Sequence, residues 1–79
     1  MTLAEAVSKR TKQLLFAQNK TQYKLIKEMG LSKTSIRYLN NGKSKSVNLT
    51  TVVLIAEFFG MSLAEFFEDD IFKYENLDE

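Results

Sequence analysis

Three glycines, Gly30, Gly42 and Gly60, punctuate a chain of 79 residues that has no proline, and each follows a segment with helical periodicity. Glycine is the usual residue just past a helix end, because the chain there turns through a left-handed conformation. The cuts leave pieces too short for anything but a small bundle. Apolar residues at helical spacing give five expected helices. The first runs from Leu3 to Gln18, with Thr2 as N-cap, Glu5 completing a capping box, and Leu3, Val7, Leu14 and Leu15 inward. The second follows Thr21 and runs to Met29, with Leu25, Ile26 and Met29 inward. The third follows Ser32 and ends near Asn40 or Asn41. The fourth follows Asn48 and runs to Phe59, apolar on most sides (Leu49, Val52, Val53, Ile55, Ala56, Phe59), which predicts a central buried helix. The fifth follows Ser62, with Glu65 closing a second capping box and Leu63, Phe66 and Phe67 inward. The fold class expected is therefore all-α. From Ile71 to Leu77 the pattern fits a strand or a helical face equally well.

Composition narrows the function. One domain of this size buries only roughly 60% of its unfolded surface and must pack efficiently. There is no Cys, hence no disulfide framework, and no His, which removes the usual zinc sites and His-based catalysis. No glycine-rich phosphate loop appears, and Glu68-Asp69-Asp70 is a single acidic run of the kind that faces solvent. An enzyme is not expected, and neither is a cofactor or a metal. The longest apolar run, Val52 to Ala56, is too short to span a bilayer. The start, Met1-Thr2-Leu3-Ala4-Glu5, lacks the basic flank and apolar core of a secretory signal, so a cytoplasmic protein is expected.

The net charge of +1 conceals a division. Residues 1–45 hold ten Lys/Arg and two acids, a balance of +8, whereas residues 46–79 hold one Lys and eight acids, a balance of −7. One half of the chain thus seeks polyanions. That half contains Thr21 to Leu39, which reads as two short helices joined by a tight turn at Gly30: the layout of a helix-turn-helix, whose second helix enters the DNA major groove. At about 100° per residue, Ile36 and Leu39 point inward and Thr34, Arg37, Tyr38 and Asn41 form the outward arc. Lys33 stands at the N-terminal tip, which penetrates deepest. Arg37 or Lys33 can donate to guanine, Thr34 can meet a thymine methyl or a base edge, and Tyr38 can pack on the sugar–phosphate edge. Lys33, Thr34, Arg37 and Tyr38 are the expected base-contacting residues. Expected at phosphates are Gln22, at the positive start of the second helix, and Asn41, Lys43, Ser44 and Lys45 in the loop that follows the third.

The pieces Thr21-Gln22-x-x-Leu25, Gly30-Leu31-Ser32-x-x-x-Ile36, Asn41-Gly42-Lys43 and Leu49-x-x-Val52-x-x-Ile55-Ala56-x-x-Phe59-Gly60-Met61-Ser62-Leu63-x-x-Phe66 together resemble the Cro/cI-type (xenobiotic-response-element) helix-turn-helix family of phage repressors and small bacterial regulators. The resemblance covers about residues 3–67. It implies a compact five-helix, lambda-repressor-like DNA-binding domain, here residues 1–68, with a short C-terminal extension at 69–79. It also implies a homodimer on a two-fold double-stranded operator, and a transcriptional regulator, repressor in type. By family position Lys33, Thr34 and Tyr38 match base readers, and Gln22, Asn41 and Lys43 match phosphate contacts. Three positions depart from the pattern. Ile26 stands where the family usually has Ala, Lys20 where it has an apolar residue, and Leu15 and Asn40 where many members pair Arg with Glu. The rival expectation is an antitoxin-like or other protein-interaction module on the same fold, docking a partner through the apolar C-terminal segment (Phe66, Phe67, Ile71, Phe72, Tyr74, Leu77).

Overall fold

A computed structural model describes residues 1–31 and 47–78. Among these residues the chain is all-helical: α1 (Leu3–Ala17), α2 (Gln22–Met29), α3 (Leu49–Phe58), α4 (Leu63–Phe67), and two 3-10 turns at Asp70–Phe72 and Tyr74–Asn76. The helix expected between Ser32 and Asn41 lies outside the described residues, as does Gly42.

Every expected N-cap in the described residues is formed. Thr2 Oγ1 accepts from the Glu5 amide at 3.1 Å while Glu5 Oε1 accepts from the Thr2 amide at 2.8 Å. Ser62 and Glu65 repeat this reciprocal pair at 3.1 and 2.9 Å. In each box the backbone N–H, then the hydroxyl, of the capping residue holds the glutamate carboxyl below its ordinary value. Thr21 Oγ1 accepts from the Lys24 amide at 3.2 Å, and Asn48 Oδ1 from the Thr50 amide at 2.9 Å. Each of the four helices thus has at least one first-turn amide satisfied by its own capping residue.

The helices α1, α2 and α3 close by left-handed turns. Gly30 (φ 60) ends α2, and the Leu31 amide returns to the Ile26 carbonyl at 3.2 Å. Gly60 (φ 72) ends α3, with the Met61 amide on Ala56 O at 3.0 Å and the Gly60 amide on Glu57 O at 3.0 Å, a Schellman motif. No glycine marks the end of α1. Asn19 (φ 53) takes the left-handed role there, and Lys20 N reaches Leu15 O at 2.8 Å. Asparagine tolerates that conformation better than other L-residues.

Val7, Leu14, Leu15, Leu25, Val52, Ile55, Ala56, Phe58, Phe59 and Phe66 make one core, with Ile26, Met29, Leu31, Val47, Met61, Leu63, Phe67 and Phe72 packed against its edge. α3 packs on α2 and on α4, while the first 3-10 turn packs on α1. Leu15, at the family's arginine position, is buried in this core.

Two expectations about packing are corrected. Leu3 is only half-buried, and the inner face of α1 is made instead with small residues, Ala4, Ser8 and Thr11, beside Val7, Leu14 and Leu15. Leu49 and Val53 are not core residues either; they are 58% and 41% exposed. On a 3.6-residue wheel the buried side of α3 runs from Phe58 through Thr51, Ile55, Phe59 and Val52 to Ala56, an arc of about 160°. Leu49 and Val53 fall just past its edge, while Phe58 falls inside it.

The residues from Ile71 to Leu77 form neither strand nor α-helix. Asp69 Oδ1 accepts from the Ile71 amide at 2.9 Å and starts the first 3-10 turn. Ile71 is buried, and Phe72 lies 4.9 Å from the Phe67 ring and 6.1 Å from Phe66, centroid to centroid. The segment then returns to the start of α1, where the Asp78 amide donates to the Met1 carbonyl at 2.7 Å.

Candidate nucleic-acid interface

The start of α2 is the part of the expected DNA surface that the described residues contain. Lys20 ends the α1–α2 turn, Thr21 caps α2, and Gln22 is its first residue, half-buried in the first turn. The amides here point out of the helix N-terminus, where the macrodipole favours an anion. The outward side of α2 carries Tyr23, Lys24, Lys27 and Glu28, which with Thr21 line a shallow open depression. Lys27 Nζ lies 5.7 Å from the Tyr23 ring centroid, and Lys24 Nζ lies 3.7 Å from Glu28 Oε2. Both pairs are on the surface, where an ion pair contributes little. At the far end of α2, Gly30 and the half-buried Leu31 fix where the chain leaves for the expected reading helix.

Of the nine residues expected to contact DNA, only Gln22 falls within the described residues. Lys33, Thr34, Arg37, Tyr38, Asn41, Lys43, Ser44 and Lys45 lie outside them, as does Asn40.

Two cations of the basic half turn inward, which their charge gave no sign of. Arg10 crosses from α1 to the end of α4. Its Nε donates to Phe66 O at 2.8 Å and its Nη2 to Glu65 O at 3.0 Å; Nη1 stands 3.4 Å from Asp69 Oδ2. Its guanidinium carbon lies 5.9 Å from the Phe66 centroid. Lys20 crosses to the end of α3, where its Nζ donates to Phe58 O at 3.3 Å and sits 4.8 Å from the Phe58 ring centroid. Gln18 Nε2 donates to the next carbonyl, Phe59 O, at 3.2 Å. Both helix ends lack a basic residue of their own in the last turn, and a cation from elsewhere in the chain meets the exposed carbonyls and the negative end of the dipole. This accounts for the departure at Lys20: its stem and charge cover an aromatic ring and a helix end where the family usually places an apolar side chain. The only signal in the sequence was that departure itself.

Among the described residues no group of three or more acids could hold a metal ion, and no helix is long and apolar enough to cross a membrane. The sequence model of the Cro/C1-type HTH DNA-binding domain matches residues 12–71, which take in all of α2, α3 and α4. No curated protein matches the chain, and no solved structure does. A match over well more than half of the 79 residues shows the family: the chain belongs to the Cro/C1-type HTH DNA-binding domains.

Proposed function

We propose that this Cro/C1-type domain is a sequence-specific regulator of transcription, repressor in type, that binds double-stranded DNA as a homodimer. Residues 33–41 enter the major groove, with Lys33, Thr34, Arg37 and Tyr38 at base edges. Gln22, Asn41, Lys43, Ser44 and Lys45 hold the flanking phosphates, so that the domain's register is set separately from its sequence preference. Residues 1–68 form the binding domain, and residues 69–79, with their acidic charge, stay clear of the duplex. The regulator works in the cytoplasm without a catalytic role. The observation that carries this proposal is the family match across residues 12–71. It is supported by an α2 that is capped at Thr21 and stopped by a left-handed Gly30, as a helix-turn-helix requires.

Selection of bound sequences from a random duplex pool tests it. A two-fold sequence with half-sites one helical turn apart is the expected product; a pool that shows no enrichment contradicts it. On the selected site Thr34→Ala or Lys33→Ala should lose about 1–3 kcal/mol, with little change on random DNA. Equal loss on both duplexes removes these residues from base reading. Lys43→Ala should weaken every duplex alike and lower the salt slope by about one.

An antitoxin-like role, in which the same fold binds a protein, draws support from a separate observation. Tyr74 is 95% exposed and Leu49 and Val53 stand outside the core. The rest of the C-terminal apolar set is largely used within the chain, since Phe66 and Ile71 are buried and Phe67 and Phe72 pack on the core. A module of this kind would bind no duplex even at low salt.

A further inference from the structure

We infer that Lys20 is a positioning residue: it fastens the α1–α2 turn to the C-terminal end of α3 and so fixes the start of α2 where it meets DNA. The inference rests on the proposed phosphate contact at Gln22, and it assigns Lys20 a role opposite to the one its charge suggests. A lysine two residues before a phosphate-binding amide would ordinarily be counted as another phosphate ligand. Here its ammonium is turned away, 3.3 Å from Phe58 O and 4.8 Å from the Phe58 ring centroid, and the side chain is partly buried.

Four bonds converge on this turn. Lys20 N on Leu15 O (2.8 Å) and Asn19 N on Phe16 O (3.2 Å) tie it to α1. Lys20 Nζ on Phe58 O and Gln18 Nε2 on Phe59 O (3.2 Å) tie it to α3. The next residue is Thr21, whose hydroxyl and carbonyl accept the amides of Lys24 (3.2 Å) and Leu25 (3.2 Å) to begin α2. The first turn of α2 is therefore one peptide away from a junction of three helices. A phosphate contact made by a helix N-terminus depends on where that terminus stands, so loosening the junction weakens binding without removing any group that touches DNA.

Lys20→Met keeps the stem over the Phe58 ring and removes the charge and the donor; Lys20→Arg keeps both. With the full chain and a short mixed-sequence duplex, Lys20→Met should bind about tenfold more weakly. The slope of log affinity against log salt should stay at the wild-type value, because no phosphate-bound cation is lost. The Lys24 and Leu25 amides should exchange faster with solvent while those of Ile55 and Ala56 do not, and Lys20→Arg should restore affinity and exchange together. A slope lowered by about one in Lys20→Met would make Lys20 a phosphate ligand and overturn the inference. Unchanged exchange at Lys24 and Leu25 would overturn it as well. Should Lys20→Met fail to fold, Gln18→Ala removes the neighbouring tie from the surface; faster exchange at the same two amides with an unchanged slope supports the junction, and no change in either contradicts it. If the wild-type chain binds no duplex, the Gln22 contact fails, and exchange alone then decides whether Lys20 holds α2.

Discussion

Arg10 and Lys20 do the same physical work at two helix ends and differ in what stands beside them. Each is a long cation from the basic half that covers an aromatic ring and meets backbone carbonyls at a helix C-terminus. Arg10 uses a planar fork: two donors on two carbonyls, a third near Asp69, and a side chain only 14% exposed. Lys20 uses a point charge on one carbonyl, helped by the Gln18 amide. The geometry suits each residue, since guanidinium fits several fixed acceptors at once and ammonium fits one. The Arg10 clamp fastens α1 to α4 and the C-terminal segment, on elements from which no DNA contact is proposed. The Lys20 clamp sits one peptide from the cap of α2. Losing the first should therefore reach stability, and losing the second should reach binding.

The largest expected effect is that of Arg10→Met, which should destabilise the fold by about 2 kcal/mol in urea unfolding, because charged hydrogen bonds to two carbonyls disappear together. Duplex affinity measured where the variant remains folded should hardly move. If affinity falls tenfold there, the two clamps are not separable. Asn19→Val is next, at about 1–2 kcal/mol, the penalty for forcing a branched side chain into the left-handed region. Since Asn19 presents Lys20, this variant should also speed exchange at Lys24 and Leu25 and leave the α4 end alone, whereas Asn19→Gly should be neutral or slightly stabilising. Lys20→Met should cost about 1 kcal/mol of stability, less than Arg10→Met, with its main effect on the duplex. A stability loss larger than that of Arg10→Met would reverse the comparison.

The smallest effect is a dependence on pH. Glu5 and Glu65 carry carboxyls that fold below their ordinary value of 4.5, chiefly because the Thr2 and Ser62 backbone amides donate to them. A carboxyl lowered by folding adds stability that is complete above its unfolded value and is lost as pH falls through its folded one. Both groups are fully solvated, so the change is modest. The acid limb of the stability profile should flatten in Glu65→Gln and flatten further with Glu5→Gln; identical limbs in wild type and double variant would show that the boxes are not formed in solution.

Local chemistry made most of this architecture legible. Thr2, Thr21, Asn48 and Ser62 cap because a short polar side chain can reach its own helix amides, and that is written within four residues of sequence. Gly30 and Gly60 were readable for the same reason, since a left-handed residue is needed wherever a helix stops and turns. What escaped depends on partners far along the chain. Arg10 meets Glu65, Phe66 and Asp69, and Lys20 meets Phe58, across separations that no periodicity reveals. Leu49 and Val53 fell outside the core because an apolar surface on most of a helix does not say how far around its neighbours extend. The 3-10 turns near the C-terminus were hidden by a pattern compatible with two periods, and decided by Asp69 capping Ile71 and by Phe72 joining the Phe66–Phe67 pair. As for the proposed interface, its outward arc was read from residues 33–41, outside the described residues; of its expected contacts Gln22 alone falls within them, at the start of a capped helix.

Duplex binding by the full chain as a function of salt tests the central claim most directly. A domain that holds phosphates with Lys43, Lys45 and the start of α2 should lose affinity linearly on log–log axes, with a slope of about −0.9 for each phosphate neutralised by a cation. An absence of duplex binding at low salt, on random and selected sequences alike, would contradict it.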